Sequence, residues 1–352
     1  MARHVASPRT AATVRTAVLG LVLVLLTACG ANARSAGPAQ APTPQQAGAF
    51  PVTIKHAAGE SRIEKAPARV VALSTGWVDA TLALGVVPVA ANRWSTTQPV
   101  FAPWNADLLK ESTTTPINTV ADISVEEIAK LRPDVIFGSY QVTSNKGLYA
   151  ALSKIAPTIG IIGADNQDGT WQEILLTVGK VLGKSAEAQA AVTKAEATLS
   201  GVATTYPGIK GKTVQYVVLR QPGTVQAGAK ANDHLVRFFQ TMGLGPAPGL
   251  TALEAKGGET GFLSYEQLGA LDGDLMFIGG FSDEEMTAFE KSELFKKVPT
   301  VRNGTYLVLD AEKIGAMRTP TVRNIPYLLD AMKPALEKAG LGKDGLGKAG
   351  NA

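Results

Sequence analysis

Residues 123–140, ISVEEIAKLRPDVIFGSY, return as residues 263–280, LSYEQLGALDGDLMFIGG, at an offset of 140 residues. Ungapped, the two windows pair Ser124 with Ser264, Glu126 with Glu266, Leu131 with Leu271, Asp134 with Asp274 and Phe137 with Phe277, and most other pairs swap like for like. Repetition on this scale predicts two similar lobes. Each copy reads as a short helix followed by a buried strand. Ser124 with Glu127, and Ser264 with Gln267, have the spacing of capping boxes, in which the hydroxyl caps an orphan amide and the acid or amide side chain returns to the N–H of the cap. Ile128 and Leu131, like Leu268 and Leu271, supply one apolar face, and Pro133 or Gly273 ends the turn before VIF or LMF continues as a strand. Glu126 and Glu266 stand beside the boxes without belonging to them.

Working outward, 352 residues suit two domains of ordinary size, and an apolar content of 45% supports packed cores. The formal charge of +4 comes from 34 basic and 30 acidic residues. Arg3, Arg9 and Arg15 precede Cys29 with no acid among them, so without them 31 basic residues face 30 acidic ones, a net +1 that gives no electrostatic case for nucleic acid. The basic start and the apolar run at 17–26 read as a signal peptide, the run being short for a membrane span. Leu26, Thr27, Ala28 and Cys29 resemble the bacterial lipobox, whose cysteine is acylated and becomes the new N-terminus. Cys29 is the only cysteine in the chain, so no disulfide is expected. The Ala, Pro, Gln and Gly stretch after it reads as a disordered tether. The expected layout is a signal peptide at 1–28, the tether at 29–49, a first α/β lobe at 50–183, a connecting helix at 184–206, a second lobe at 207–342 and a tail at 343–352.

Along the chain, a β-branched run at 69–73, a helical pattern at 77–84 and another strand at 86–91 indicate a parallel α/β unit. A helix at 148–154 and a strand at 155–162 come after the first copy of the repeat. The Ala, Lys, Glu and Leu pattern at 185–204 predicts a helix of roughly 30 Å at 1.5 Å per residue, read as the connector between lobes. A strand at 213–219, a helix starting at His234 and running to 242, the second copy, a strand at 306–309 and an amphipathic helix at 321–338 complete the pattern.

The runs RVVALSTGWVDATLALGVVPVA and LYAALSKIAPTI, together with both copies of the repeat, resemble the bacterial ABC-transporter substrate-binding proteins for ferric siderophores, a group that also holds vitamin B12 and haem binders. The resemblance covers nearly everything from 50 to 341 and rests on order and spacing rather than on one block. It implies an α/β fold of two Rossmann-like lobes joined by a single long helix, with the ligand cleft between them. It also implies permease docking through one exposed glutamate per lobe, which here falls on Glu126 and Glu266. An acid in a first helical turn would serve the helix dipole equally, but Glu266 is kept where Gln267 replaces the neighbouring acid.

In open parallel sheets ligands meet the loops at the carboxyl ends of strands. Those positions nominate Trp77, Arg93, Trp94, Tyr140, Arg220 and Arg318 as ligand-binding, with Phe281 beside them. Guanidinium donors for exposed chelator oxygens and flat apolar faces for the organic shell suit a ferric siderophore that keeps its own iron, so no protein-bound metal or other cofactor is expected. Trp77 could equally be the inward residue of its helix. His56 and His234 are too few for a histidine-rich metal site. Gly179, Gly183, Lys184 and Ser185 approach a phosphate loop but miss its spacing and lie in a helical stretch, and no nucleophile elbow is present, so no enzyme is expected. The expectation is a monomeric, lipid-anchored receptor on the outer face of the cytoplasmic membrane that delivers a ferric siderophore to an ABC permease. A haem or corrinoid binder of the same fold, or a non-transport envelope interaction protein, is the alternative. Arginines favour catecholates or carboxylates and aromatics favour hydroxamates, so the siderophore class stays open.

Overall fold

The computed structural model describes residues 50–95, 100–163, 169–228, 233–255 and 261–340, and the expectations for the leader, Cys29 and the tether fall outside them. Two sheets organise these residues. The first holds five parallel strands in the order Thr115–Ile117, Ala90–Asn92, Val70–Ala72, Val135–Phe137 and Thr158–Ile159. Its central strands, VVA and VIF, are buried at every residue. That burial comes from helices covering both faces, which makes such strands continuous apolar runs rather than alternating ones. A separate antiparallel hairpin, Val52–His56 with Gly59–Ile63, precedes the sheet.

The second sheet is mixed. Leu275–Gly280 pairs in parallel with Thr213–Gln221 on one side and Tyr306–Leu309 on the other. Thr213–Gln221 runs two residues past its expected end and folds back through Pro222 and Gly223 into the antiparallel strand Thr224–Ala227, which in turn pairs with Leu263–Ser264. Gly223 has φ of +86°, a conformation only glycine adopts cheaply. This corrects the placement of Arg220 beyond the end of its strand: a β-branched run after Pro-Gly is a hairpin signal.

The connector is Ser185–Ser200 followed by Val202–Thr205, with Gly201 itself in helical conformation. It lies against Trp171–Leu182, a helix with a closed capping box at Thr170 and Glu173. A Cβ on Gly179 would stand 2.4 Å from that of Ala188, so this glycine serves close helix packing rather than a phosphate loop. One apolar cluster runs from Trp77 and Phe137 through Val178, Val192 and Leu199 to Phe239 and Phe277, so the lobes share packed core on their facing sides. Two further clusters fill the outer sides of the two sheets.

The repeat is realised in three dimensions with differences. Ser124 caps Val125–Lys130 by accepting from the Glu127 N–H at 3.2 Å. In the second copy the box closes on a 3-10 helix, Tyr265–Ala270, and Gln267 Oε1 accepts from the Ser264 N–H at 3.0 Å. The paired aspartates do a job that spacing alone did not suggest. Asp134 accepts from the N–H groups of Ala68 and Arg69, both at 2.8 Å, and Asp274 accepts from the N–H of Thr213 at 2.9 Å and its hydroxyl at 3.0 Å. Each therefore pins the start of the strand next to its own.

Candidate functional site

A cavity of about 600 Å³ opens between the lobes. The first lobe contributes Tyr140, Gly169 and Ile174, and the second contributes Tyr216, Gln226 and Arg318 among others. Tyr140 reaches it because the strand Val135–Phe137 is short and Ser139 immediately caps a new helix, Tyr140–Ser144, whose first residue stays 56% exposed. Arg318 is the last residue of Ala311–Arg318, at the point where the chain turns back towards the first lobe.

Arg220 lies inside its strand rather than after it, on the same strand face as Tyr216. Its Nε donates to Gln226 Oε1 across the hairpin at 3.0 Å, and its guanidinium sits 5.4 Å from the centre of the Phe281 ring. The Tyr216 hydroxyl donates to the Ile314 carbonyl at 2.8 Å, and burial pushes its phenol up against the pull of Arg318 and Arg220. Burial and then the charge of Arg318 lower Arg220 in turn. Arg318 and Tyr216 line the cavity, and Arg220 stands outside that lining, held by the lining residue Gln226.

Trp94 approaches from the opposite side. A methyl group on Gly315 would lie 3.6 Å from the Trp94 ring and 3.8 Å from that of Phe281, so aromatics of the two lobes meet over this glycine. Trp94 also packs edge-on against Trp104 at 5.0 Å. Arg93 is half-buried at the end of Ala90–Asn92, its N–H donated to the Ile117 carbonyl at 2.8 Å, and it does not line the cavity.

Trp77 is corrected from pocket to core. It is the third residue of Thr75–Ala83 and 1% exposed, stacked on Phe137 at 4.9 Å with its indole N–H donated to the Gly138 carbonyl at 3.0 Å. Glu126 and Glu266 are exposed in the first turns of their helices, each with no ion pair among the described residues.

Sequence reasoning missed Tyr216, Gln226 and the cavity role of His234. The alternation of Val214, Tyr216 and Val218 on one strand face was the available signal for the first. His234 does start its helix: Asp233 caps Leu235 and Val236, and the next residue, His234, makes a ring-nitrogen hydrogen bond to the Arg318 carbonyl at 3.1 Å.

Behind the cavity a second polar cluster ties the lobes together. Asp79, fully buried on the first helix, accepts from the Trp104 indole at 2.8 Å, from the Asn105 amide and from the Thr321 hydroxyl. Burial pushes its carboxyl up to about 6, against the pull of these donors and of Arg323. Arg323 donates to Asn105 Oδ1 at 2.6 Å and to the Trp104 carbonyl at 3.2 Å. It lies before the last helix, Ile325–Gly340, and not within it as the pattern at 321–338 suggested. Thr321 and Asn324 bond each other's N–H groups at 3.1 and 2.7 Å and hold the entry to that helix.

Two α/β lobes closing on one cavity define a solute-binding protein, and the family model says which kind. The chain belongs to the periplasmic binding protein family, whose model matches residues 70–312. Members of this family bind substrates for transport. Among its relatives is a candidate ABC transporter substrate-binding lipoprotein of Bacillus subtilis, YhfQ, 28% identical over 265 residues, or 72% of this chain and 79% of that protein. The Fe(3+)-citrate-binding protein YfmC of the same organism is 23% identical over 264 residues, covering 72% of this chain and 76% of its own. Among solved structures, PiaA of Streptococcus pneumoniae in complex with ferrichrome superposes with a TM-score of 0.69 at 24% identity, covering 82% of this chain and 98% of that one, a likeness of fold. Among the described residues no helix is long and apolar enough to cross a membrane.

Proposed function

We propose that the protein captures a ferric siderophore outside the cytoplasmic membrane and delivers it to an ABC permease. The observation that carries this reading is the cavity of about 600 Å³ between the lobes, whose polar side chains include a guanidinium, two phenols, an imidazole and a side-chain amide beside the single carboxylate of Asp233. The donors among them hydrogen-bond to the outer oxygens of a chelator whose inner oxygens already hold the iron. Ligand names borne by relatives, ferric citrate and ferrichrome, point the same way. In this reading the iron stays with the chelator, Tyr140 and Arg318 touch the ligand, Arg220 and Trp94 border it, and Arg93 supports the loop that carries Trp94.

Delivery needs a face for the permease. Glu126 and Glu266 occupy equivalent positions of the repeat, one per lobe, exposed and unpaired among the described residues, and are proposed to meet cationic residues of the membrane partner. Cys29 is proposed to carry the lipid that keeps the receptor at the membrane.

Intrinsic fluorescence provides the test, because Trp94 reaches Gly315 on the helix that ends at the cavity residue Arg318, and Trp104 packs on it. Saturable quenching by a ferric siderophore, with the ligand recovered unchanged, is the expected result. Chemical turnover of the ligand, or no response to a panel of ferric siderophores, overturns the proposal, and saturation by haem or a corrinoid alone transfers it to that ligand.

A further inference from the structure

The relatives leave the chelate class open, since their names include both citrate and ferrichrome. The geometry points to a ferric chelate with net negative charge and outward carboxylates, gripped by Arg220 and Arg318 together. This rests on the siderophore reading above.

Arg220 uses Nε on Gln226 at 3.0 Å and one face on Phe281 at 5.4 Å, so its orientation is fixed by neutral partners while its charge is not neutralised. Among the described residues neither Arg220 nor Arg318 forms an ion pair. The carboxylate on the cavity wall, Asp233, accepts through Oδ1 from the N–H groups of Leu235 at 2.7 Å and Val236 at 3.4 Å, and among the described residues it forms no ion pair with either arginine. Tyr216, whose phenol both cations pull down against burial, has its hydroxyl donated to the Ile314 carbonyl and neutralises neither of them.

Two like charges at one edge repel each other even though both arginines stay exposed, and the charge of Arg318 adds to the burial that lowers Arg220. A neutral ligand would add desolvation without relieving that repulsion. An anionic one relieves it, and a planar carboxylate matches the two-pronged donor edge that a guanidinium keeps when Nε and one face are occupied. Catecholate oxygens at the rim of a ferric complex are bound to the metal and lack such a free planar pair. The aromatic surface fits this division of labour: Arg220 lies over one face of Phe281, and the edge of Trp94 is turned towards Gly315.

The test is a fluorescence titration of the full chain with ferric citrate in excess citrate, with ferrichrome as a neutral hydroxamate and with a ferric tricatecholate as an anion without free carboxylates. Ferric citrate is expected to bind at least about 10-fold more tightly than ferrichrome, and Arg220→Gln and Arg318→Gln each to weaken citrate by about 10- to 100-fold, the worth of a hydrogen bond to a charged group. Arg220→Lys, which keeps the charge and loses the fork, should fall between wild type and Arg220→Gln. Thermal unfolding of the variants within a few degrees of wild type separates a lost contact from a lost fold. Ferrichrome binding as tightly as citrate and indifferent to both substitutions overturns the inference while leaving the siderophore reading intact. A tricatecholate matching citrate overturns the carboxylate assignment, and no binding by any chelate overturns both readings.

Discussion

The two copies of the repeat begin alike and end differently. Both start a short helix at a serine, both send an aspartate back to pin the neighbouring strand, and both bury Phe137 or Phe277 completely. After the phenylalanine they part. The first copy leaves the sheet at once, and Ser139 caps the helix that presents Tyr140. The second stays in the sheet for three more residues to Gly280, and its aromatic, Phe281, comes one position later, 51% exposed beneath Arg220. The match of Tyr140 with Gly280 predicts one-sided contact at this point, and the cavity agrees: Tyr140 lines it, whereas neither Gly280 nor Phe281 does. The scaffold of each lobe is thus fixed before the phenylalanine and the ligand-facing chemistry after it.

Reversing both exposed acids, Glu126→Lys with Glu266→Lys, should have the largest effect: iron uptake in cells abolished, with ligand affinity in solution unchanged. A loss of affinity would remove these residues from the docking face. Either single reversal should leave measurable uptake, because the lobes carry equivalent contacts.

Carboxylates sharpen the comparison through pH. Burial raises Asp79 to about 6, so the folded state holds this proton more tightly than the unfolded chain does, and its contribution to stability is greatest below about pH 4 and falls away as the pH rises towards 6. The shift of about two units corresponds to about 3 kcal/mol across that window. For Asp274, burial pulls the carboxyl up, but the Thr213 N–H and hydroxyl and Lys212 outweigh it and hold it below its ordinary value. Its contribution has the opposite sign, present above the ordinary carboxylate range and lost as the pH falls through the lowered one. Urea unfolding between pH 3 and 7 should lose the downward slope from 4 to 6 in Asp79→Asn, and in Asp274→Asn should lose part of the decline on the acid side.

A smaller effect tests the divergence directly. A Cβ on Gly279 would lie 2.5 Å from the Leu309 carbonyl and 3.0 Å from Ile314, so Gly279→Ser, which installs the residue of the first copy, should cost about 1 to 3 kcal/mol through overpacking. The reciprocal Ser139→Gly should cost a few tenths of a kcal/mol, because glycine is a tolerable cap. Equal costs in the two directions would mean that the ends of the copies are interchangeable. Smallest of the stability losses outside that pair, Ser124→Ala should remove about 1 kcal/mol by deleting the cap on Val125–Lys130, as read by thermal melting.

Much of the scaffold was legible because it depends on local pattern. VVA and VIF announce strands buried on both faces, Ser124 and Ser264 start helices where a small polar residue meets apolar periodicity, and the connector is marked by a run of helix formers. The site was legible only in part. Tyr140 could be found from its place just past a strand, Arg318 was nominated on the same ground although it ends the helix Ala311–Arg318 that follows its strand, and Trp77 looked the same from sequence whether it faced ligand or core. Arg220 was identified for an incorrect reason, since it lies in a hairpin strand. The Asp79 cluster was invisible, because its bond to Thr321 joins residues 242 positions apart and neither belongs to a motif.

That long-range bond has a mechanical consequence. The chain crosses between the lobes through the helix at Ser185–Ser200, and the segment carrying Thr321 and Arg323 reaches back to grip Asp79 and Asn105. A door hung from two hinges can swing only about the line through both. The lobes are joined in the same manner: besides the connecting helix, a shared packed core and a buried polar cluster hold them together, so a wide swing of one lobe against the other would have to break the bond between Thr321 and Asp79.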